Sequence, residues 1–464
     1  MTVLRLRPDP GTRHLADGRV LLGGSPYKVI RLSETAARLV SRWFDGEPVS
    51  DTPAHRKLAA RLVRAGIAHP AYETAALSSQ DVTAVVPVRD HAETLTTLLS
   101  ALGELATVIV VDDGSRVPVT AATLRHASPR GPAAARNSGW RLATTELVAF
   151  VDADVIPEPG WLQPLLVHFE DPDVAAVAPR VRSTSGPSTL DRYEQSRSSL
   201  DLGGAAAPVR PGSRVSYVPS AALVIRTSAL CDLGGFDERM RFGEDVDLVW
   251  RLNSSGRLVR YEPASVVNHA PRSRWSAWAR QRFHYGTSAA PLALRHGKAV
   301  APVKVSMWSA MSWAAMAGGQ PLIGAGVAVT TAALLPRKLG KVGVPANESL
   351  RLALLGHLGA GRLLADAVTR SWSPISVPVL ATTRRGRLLL AAAFGRHAWD
   401  WYRERPPVGL PQWVAARILD DAAYGAGVWW GAIRHRTVIP LMPDLADWPG
   451  RDGVDTGGVG ERSA

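Results

Sequence analysis

From Val82 to His269, short unbroken apolar runs alternate with stretches whose apolar residues recur every three or four positions. Val82–Val88, Thr107–Val111 and Leu147–Val151 have the length and composition of strands buried on both faces. Between the first two, Leu95, Leu98, Leu99 and Leu102 mark one face of a helix. Strand, helix and strand at this spacing predict a right-handed βαβ unit with a parallel sheet. Gly131–Trp140 reads as a turn feeding a helix, and Tyr217–Arg226, Arg257–Tyr261 and Ser265–His269 read as further strands. Phe242–Leu252 opens on acids and continues at helical spacing, which places Glu244 and Asp245 at a helix amino end.

The two ends of the chain carry other patterns. Val20–Leu32 predicts two short strands about a Gly-Gly-Ser-Pro turn, followed by helices over residues 34–46 and 54–65. Residues 305–335 hold no charge, and Gly318-Gly-Gln-Pro321 divides them into two apolar halves of about fourteen, each short for crossing a bilayer. A tilted span, an interfacial hairpin and a helical hairpin packed on protein all remain open. Further Ala/Leu helices are expected over 350–368 and 388–393, and a Gly- and Asp-rich tail after Pro443 is expected to be disordered. The chain accordingly divides into residues 1–76, 80–290, 291–443 and 444–464.

Composition narrows the function. Apolar residues at 46% and charged residues at 20% describe a globular protein with a sizeable core. One cysteine, Cys231, excludes an intrachain disulfide and any cysteine-cluster metal site. The amino terminus lacks the apolar run of a secretory signal, so a cytosolic catalytic domain is expected. The net charge is +13, and between Gly256 and Gly395 eighteen Lys or Arg face three acids. Such a field suits a nucleotide diphosphate or an anionic membrane surface. No nucleic-acid-binding signature accompanies it, and no Gly-x-Gly-x-x-Gly follows the first strand, so neither nucleic acid nor a dinucleotide is the expected partner.

The candidate chemistry gathers at strand exits, where open α/β sheets bind ligands. Asp152 and Asp154 leave the Leu147–Val151 strand one residue apart, so they can share a hard divalent cation. Arg136, near a helix amino end, can meet phosphate. Asp112 and Asp113 end another strand, and His269 ends the last.

Pro87 after a strand, Val111-Asp-Asp-Gly-Ser115, Ala135-Arg-Asn-Ser-Gly139, Phe150-Val-Asp-Ala-Asp154, Gly234-Gly-Phe-Asp-Glu238 and Gly243-Glu-Asp-Val-Asp-Leu248 occur in this order. As a set they resemble the family 2 glycosyltransferases of GT-A fold. The resemblance implies an α/β, Rossmann-like catalytic domain with a mostly parallel sheet. It also implies an inverting sugar transfer from a nucleotide diphosphate-sugar, assisted by Mg²⁺ or Mn²⁺. Asp154 with His269 would hold the metal, and Asp152 and Arg136 would lie near the diphosphate. Pro87, Arg89 and Asp112 would line the nucleoside pocket. Asp245 occupies the position of the catalytic base, with Glu244 pointing elsewhere.

The Gln-x-x-Arg-Trp motif of processive members is absent, which puts processive polymerisation in doubt. Arg282 and Tyr285, in the nearest stretch, and Glu244 would touch diphosphate or acceptor. The front end resembles winged-helix peptide-binding domains of peptide-derived cofactor pathways. Together with the basic, apolar rear, this implies a peptide-derived cofactor precursor as acceptor, at the cytoplasmic face of the membrane. A transferase of cell-envelope polysaccharide or glycolipid and a non-catalytic peptide-binding scaffold are the rival readings.

Overall fold

The computed structural model describes residues 3–90, 93–446 and 454–455. They form two compact units, one from residues 72–300 and 368–441, the other from 3–71, 301–367 and the residues after 441.

The first unit is built on a sheet whose strands are β1 (Val82–Val88), β2 (Thr107–Asp112), β3 (Leu124–Arg125), β4 (Leu147–Val151), β5 (Val155–Pro157), β6 (Val174–Ser183), β7 (Ala222–Arg226) and β8 (Leu258–His269). Their spatial order is β5-β8-β6-β7-β4-β1-β2-β3, with Ala207–Pro208 added against β8. Pairing is parallel through β4, β1, β2 and β3 and between β6 and β8, whereas β7 runs antiparallel to both its neighbours. This is the mixed α/β sheet of the GT-A fold.

The central strands are buried on both faces, which is why they read as continuous apolar runs. One core packs Leu98, Val86, Val151 and Leu165 on one face, and a second packs Phe150, Trp250 and Leu248 on the other. Strand order departs in both directions from β1, so the crevice lies at the carboxyl ends of β1, β2 and β4.

The helices that matter for the site are α1 (Pro132–Trp140), α2 (Thr189–Arg197), α3 (Glu244–Ser254), α4 (Trp275–Thr287) and α5 (Leu410–Arg434). The last two pack at backbone contact. A Cβ on Gly286 would stand 2.1 Å from the Tyr424 carbonyl oxygen, and one on Gly427 would stand 2.0 Å from that of Phe283. No other residue type permits that approach.

Two strand expectations change. The strand expected from Tyr217 begins only at Ala222, and Tyr217 to Ala221 is loop. Arg257–Tyr261 and Ser265–His269 are one continuous strand, β8, with a register shift where Pro179 and Arg180 of β6 pass it. That irregularity absorbs the polar Glu262-Pro-Ala break that had suggested two strands.

In the second unit, strands Arg13–Leu15, Val20–Gly23 and Lys28–Arg31 form a meander, and helices Glu34–Phe44 and Pro53–Ala65 cover its core. Helices Met307–Ala317, Pro321–Gly340 and Ala346–Thr369 supply the carboxyl-terminal part. Ala332, Leu335 and Leu339 pack on Val20, and Arg13 pairs with Glu348 through both guanidinium nitrogens. The apolar half expected to be short for a bilayer continues through Pro336 to Gly340 and makes a helix of 20 residues. At 1.5 Å per residue it spans about 30 Å. By length and mean hydropathy (1.3) it could cross a membrane, and 22% of its most apolar 18-residue stretch is buried within the protein. Of the tail expected to be disordered, Asp444–Ala446 pairs with Lys304–Ser306 and Val454–Asp455 with Lys28–Arg31. The rest of that tail lies outside the described residues.

Candidate active site

β4 delivers Asp152 and Asp154 to the crevice, and antiparallel pairing of β5 with β8 sets Val155 opposite His269. His269 Nε2 consequently lies 3.4 Å from Asp154 Oδ2, and Arg272 Nη1 lies 4.0 Å from the same oxygen. Burial alone would raise the Asp154 carboxyl, but the hydrogen bond and charge of His269 and the charge of Arg272 hold it below the usual carboxylate range. A carboxylate and an imidazole this close, at an open strand end, fit two positions of a divalent cation whose remaining ligands come from phosphate and water. Among the described residues no group of three or more His, Cys, Asp or Glu could hold a metal by itself. The sparse pair matches a cation that arrives with its nucleotide.

Arg136 sits where the sequence placed it, near the start of α1, but its task differs from the expected one. It is 4% exposed and bridges two acids, donating to Asp152 Oδ1 at 2.7 Å and to Glu244 Oε1 at 2.9 Å. Two carboxylates occupy its fork, so it organises the acidic wall instead of offering a free cation to diphosphate. Its guanidinium also lies 5.5 Å from the Phe236 ring, which roofs it. Glu244 thus points to Arg136 and not to diphosphate or acceptor.

Asp245 is half-buried at the first turn of α3. Its Oδ2 accepts from the Ser220 N–H at 3.3 Å and its Oδ1 from the Val246 N–H at 2.8 Å. Burial raises its pKa, opposed by the Val246 hydrogen bond and by Arg136, and the Asp152 charge adds to the rise. Glu244 is raised by burial and by the adjacent Asp245, against the pull of Arg136. Gly243, which precedes the pair, holds φ at 78°, and a Cβ there would meet Ser288 at 2.8 Å. The Glu-Asp pair is therefore presented by a left-handed glycine.

Asp112 departs from expectation. It is fully buried, and its oxygens accept from the Ser115 N–H at 2.8 Å and the Val119 N–H at 3.2 Å, with Arg125 at 3.3 Å. Burial would raise its pKa, but hydrogen bonds from Ser115 and Val119 and the Arg125 charge lower it. In this conformation the carboxylate shapes the turn and presents no surface to a base. Asp113 does the same for the next loop, accepting from the N–H groups of Arg130 and Gly131 and from His126. Pro87 and the half-exposed Arg89 lie at the end of β1, where Asp90 accepts from the Arg116 N–H and donates its own N–H to Ser115. Together these loops wall one end of the crevice, beyond the carboxyl ends of β1 and β2.

Arg282 also differs. It is 1% exposed, paired with Glu194 and 3.6 Å from Asp420, so it joins α4 to α2 and α5 and does not reach for substrate. Trp278 donates to the same Glu194 at 2.7 Å. Tyr285, one turn on, is half-buried and feels the Asp245 charge.

Sequence reasoning missed three residues: Tyr217, whose phenol feels the Asp245 charge, and Tyr424 and Arg370, whose charges also reach Tyr217. The last two arrive from α5 and the segment before Ser373, well over a hundred residues downstream, and no local pattern marks them. Arg272, three residues beyond His269, could have been found as a cation following the last core strand.

A mixed sheet with an Asp-Ala-Asp exit and a facing Glu-Asp helix terminus defines a GT-A glycosyltransferase. Residues 83–231 match the family described as Glycosyl transferase family 2. The pre-mycofactocin glycosyltransferase of Mycobacterium tuberculosis (strain CDC 1551 / Oshkosh) is 42% identical over 460 residues, covering 94% of this chain and 97% of that protein. The chain belongs to glycosyltransferase family 2, alongside that enzyme, and is itself a glycosyltransferase. More remote is the human probable polypeptide N-acetylgalactosaminyltransferase 8, 28% identical over 168 residues that cover 32% of this chain and 26% of that one. Among solved structures, a mannosyltransferase from Pyrobaculum calidifontis in complex with GDP-Man and Mn²⁺ aligns with a TM-score of 0.41 and 20% identity, covering 77% of this chain and 91% of that one.

Proposed function

We propose that the enzyme transfers glucose from a nucleotide diphosphate-sugar to a peptide-derived pre-mycofactocin acceptor with inversion. The observation that carries the proposal is the 42% identity along nearly the whole of both chains, combined with an acidic crevice suited to this chemistry.

The mechanism follows from the charges. Asp154 and His269 would hold Mg²⁺ or Mn²⁺, which when bound offsets the negative charge that develops on the departing nucleoside diphosphate. Arg272, 41% exposed beside Asp154, adds a cation on the same side. Asp152 and Glu244, fixed by Arg136, form a rigid wall that keeps the donor sugar from drifting toward the sheet. Asp245 Oδ2 accepts the proton of the acceptor hydroxyl as its oxygen attacks the anomeric carbon from the face opposite the leaving diphosphate. The raised pKa of Asp245 makes it a better proton acceptor than an ordinary carboxylate, at the cost of being ionised only at higher pH.

A panel of sugar nucleotides with Mg²⁺ or Mn²⁺, scored for nucleoside diphosphate release with and without the precursor, tests the reading. Release from one donor, increased by precursor and lost in Asp154→Ala, is the expected result. Release from none of them would overturn it.

We further propose that the second unit attaches the enzyme to the cytoplasmic face of the membrane. Supporting this, the Pro321–Gly340 helix exposes Leu322, Ile323 and Val329 and ends on Arg337 and Lys338. Flotation with phosphatidylglycerol vesicles is expected. Equal recovery in the vesicle-free fraction would refute it.

A further inference from the structure

We infer that Tyr217, Tyr285 and Tyr424 form the acceptor subsite, taking a ring that has an apolar face and carries the attacking hydroxyl at its edge. The inference rests on the proposed role of Asp245 and deepens it by naming what holds the acceptor there.

Three separate elements bring these residues together, Tyr217 and Tyr285 within reach of the Asp245 charge and Tyr424 within reach of Tyr217. Tyr217 lies in the loop before β7, three residues ahead of Ser220, whose N–H donates to Asp245 at 3.3 Å. Tyr285 lies in the last turn of α4. Ser288, which donates to the Tyr285 carbonyl, stands 2.8 Å from where a Gly243 Cβ would be, so this end of α4 touches the start of α3. Tyr424 comes from α5, and its carbonyl stands 2.1 Å from where a Cβ on Gly286 would be. Both Tyr217 and Tyr285 feel the Asp245 charge, and burial first and that charge after it raise their phenols, Tyr217 to about 12. Both therefore stay protonated and can donate.

The hydroxyls set these residues apart from the fully buried tyrosines. The fully buried tyrosines of this unit are hydrogen-bonded, Tyr193 to Asp420 and Tyr261 to the Gly203 carbonyl. Among the described residues, the hydroxyls of Tyr217, Tyr285 and Tyr424 have no hydrogen-bond partner, and all three side chains are only half-buried. Unpaired phenols at a crevice wall supply stacking faces and donors to something that enters. The wall is also held rigidly. Arg370 lies 4.0 Å from the Tyr424 ring centroid and is tied to Asp420 at 3.3 Å and Asp421 at 2.8 Å. Arg282 stands 5.9 Å from the Tyr285 ring. Cations behind the rings leave their other faces for the ligand.

The aromatic ring of an aglycone and the apolar face of a sugar already attached share this chemistry. The test uses the purified full-length enzyme with two acceptors, the pre-mycofactocin precursor and its monoglucoside. Tyr217→Ala and Tyr424→Ala are expected to raise the acceptor KM about tenfold, with Tyr424→Phe within about threefold of the parent. The dissociation constant for the nucleoside diphosphate, read by calorimetry, should be unaltered, and thermal melts exclude misfolding. A KM rise confined to the precursor assigns the subsite to the aglycone, and one confined to the monoglucoside assigns it to sugar. Unchanged KM for both, in folded variants, overturns the inference. A parent enzyme that releases no nucleoside diphosphate instead overturns the transferase reading on which it stands. Tyr217, on a loop, provides a variant free of the α4–α5 packing should Tyr424→Ala not fold.

Discussion

Asp245→Asn separates chemistry from structure more cleanly than any other change in the crevice. The substitution is isosteric, and its amide oxygen can still accept one of the two backbone N–H groups, from Ser220 or Val246, that hold the carboxylate. The structural loss is therefore one hydrogen bond, about 1 kcal/mol. The chemical loss is the proton acceptor itself, which in general-base catalysis is about 10²- to 10⁴-fold, or about 3–5 kcal/mol of transition-state stabilisation. The expected result is a fall in kcat of that size, with nucleoside diphosphate affinity within about twofold and a melting temperature lower by a few degrees at most.

The pH profile adds a second readout. The base works only when ionised, and burial raises its pKa, so the parent rate should fall as pH drops through a value above the ordinary carboxylate range. The residual rate of Asp245→Asn should lack that limb. An equal loss of donor affinity, or a residual rate with the same acid limb, would refute the assignment.

Arg136→Met strips the shared partner from Asp152 and Glu244. It should lower stability by about 3 kcal/mol, less than for a wholly buried pair because Asp152 is a third exposed, and should abolish turnover, as read by thermal denaturation and product release. Gly427→Ala places a Cβ 2.0 Å from the Phe283 carbonyl, so α4 and α5 must part. A loss of about 1–3 kcal/mol in urea unfolding is expected, with a higher acceptor KM. Asp421 is pulled down to about 2, where burial is outweighed by His397, Arg370 and Arg417. Because that value lies below the unfolded one, its stabilisation of roughly 2 kcal/mol is present above about pH 4 and is lost as pH falls toward 2. Asp421→Asn should flatten that part of the stability–pH curve, measured by denaturant titration.

Asp154 and Asp245 were legible because each is announced locally, one by a strand that stops at an acid and one by acids that open a helix. Arg136 was found but misassigned, since its partners stand 16 and 108 residues away and only the fold reveals that both claim it. Asp112 was misread for a related reason. The turn through Ser115 and Val119 folds back over the carboxylate, and nothing in Val-Asp-Asp-Gly-Ser shows that closure. The tyrosine wall was invisible beyond Tyr285, because glycines at helix contacts carry no periodic signal. Arg282 looked available in sequence and is consumed by Glu194 and Asp420 in space. The helices Glu34–Phe44 and Pro53–Ala65 and the strands β1, β2 and β4 followed from patterning alone, whereas the length of the Pro321–Gly340 helix and the union of residues 3–71 with 301–367 had no sequence signature.

That union has a consequence during synthesis. The face of the amino-terminal meander formed by Val20 and Val29 finds its cover in Ala332, Leu335 and Leu339, which leave the ribosome some 300 residues later. At cellular elongation rates the wait is on the order of 15 to 60 s. Over that interval the nascent chain exposes an apolar edge while the intervening transferase sheet folds. A holding chaperone or an early encounter with the lipid surface is the natural shelter, and expression of residues 3–71 alone should yield aggregates.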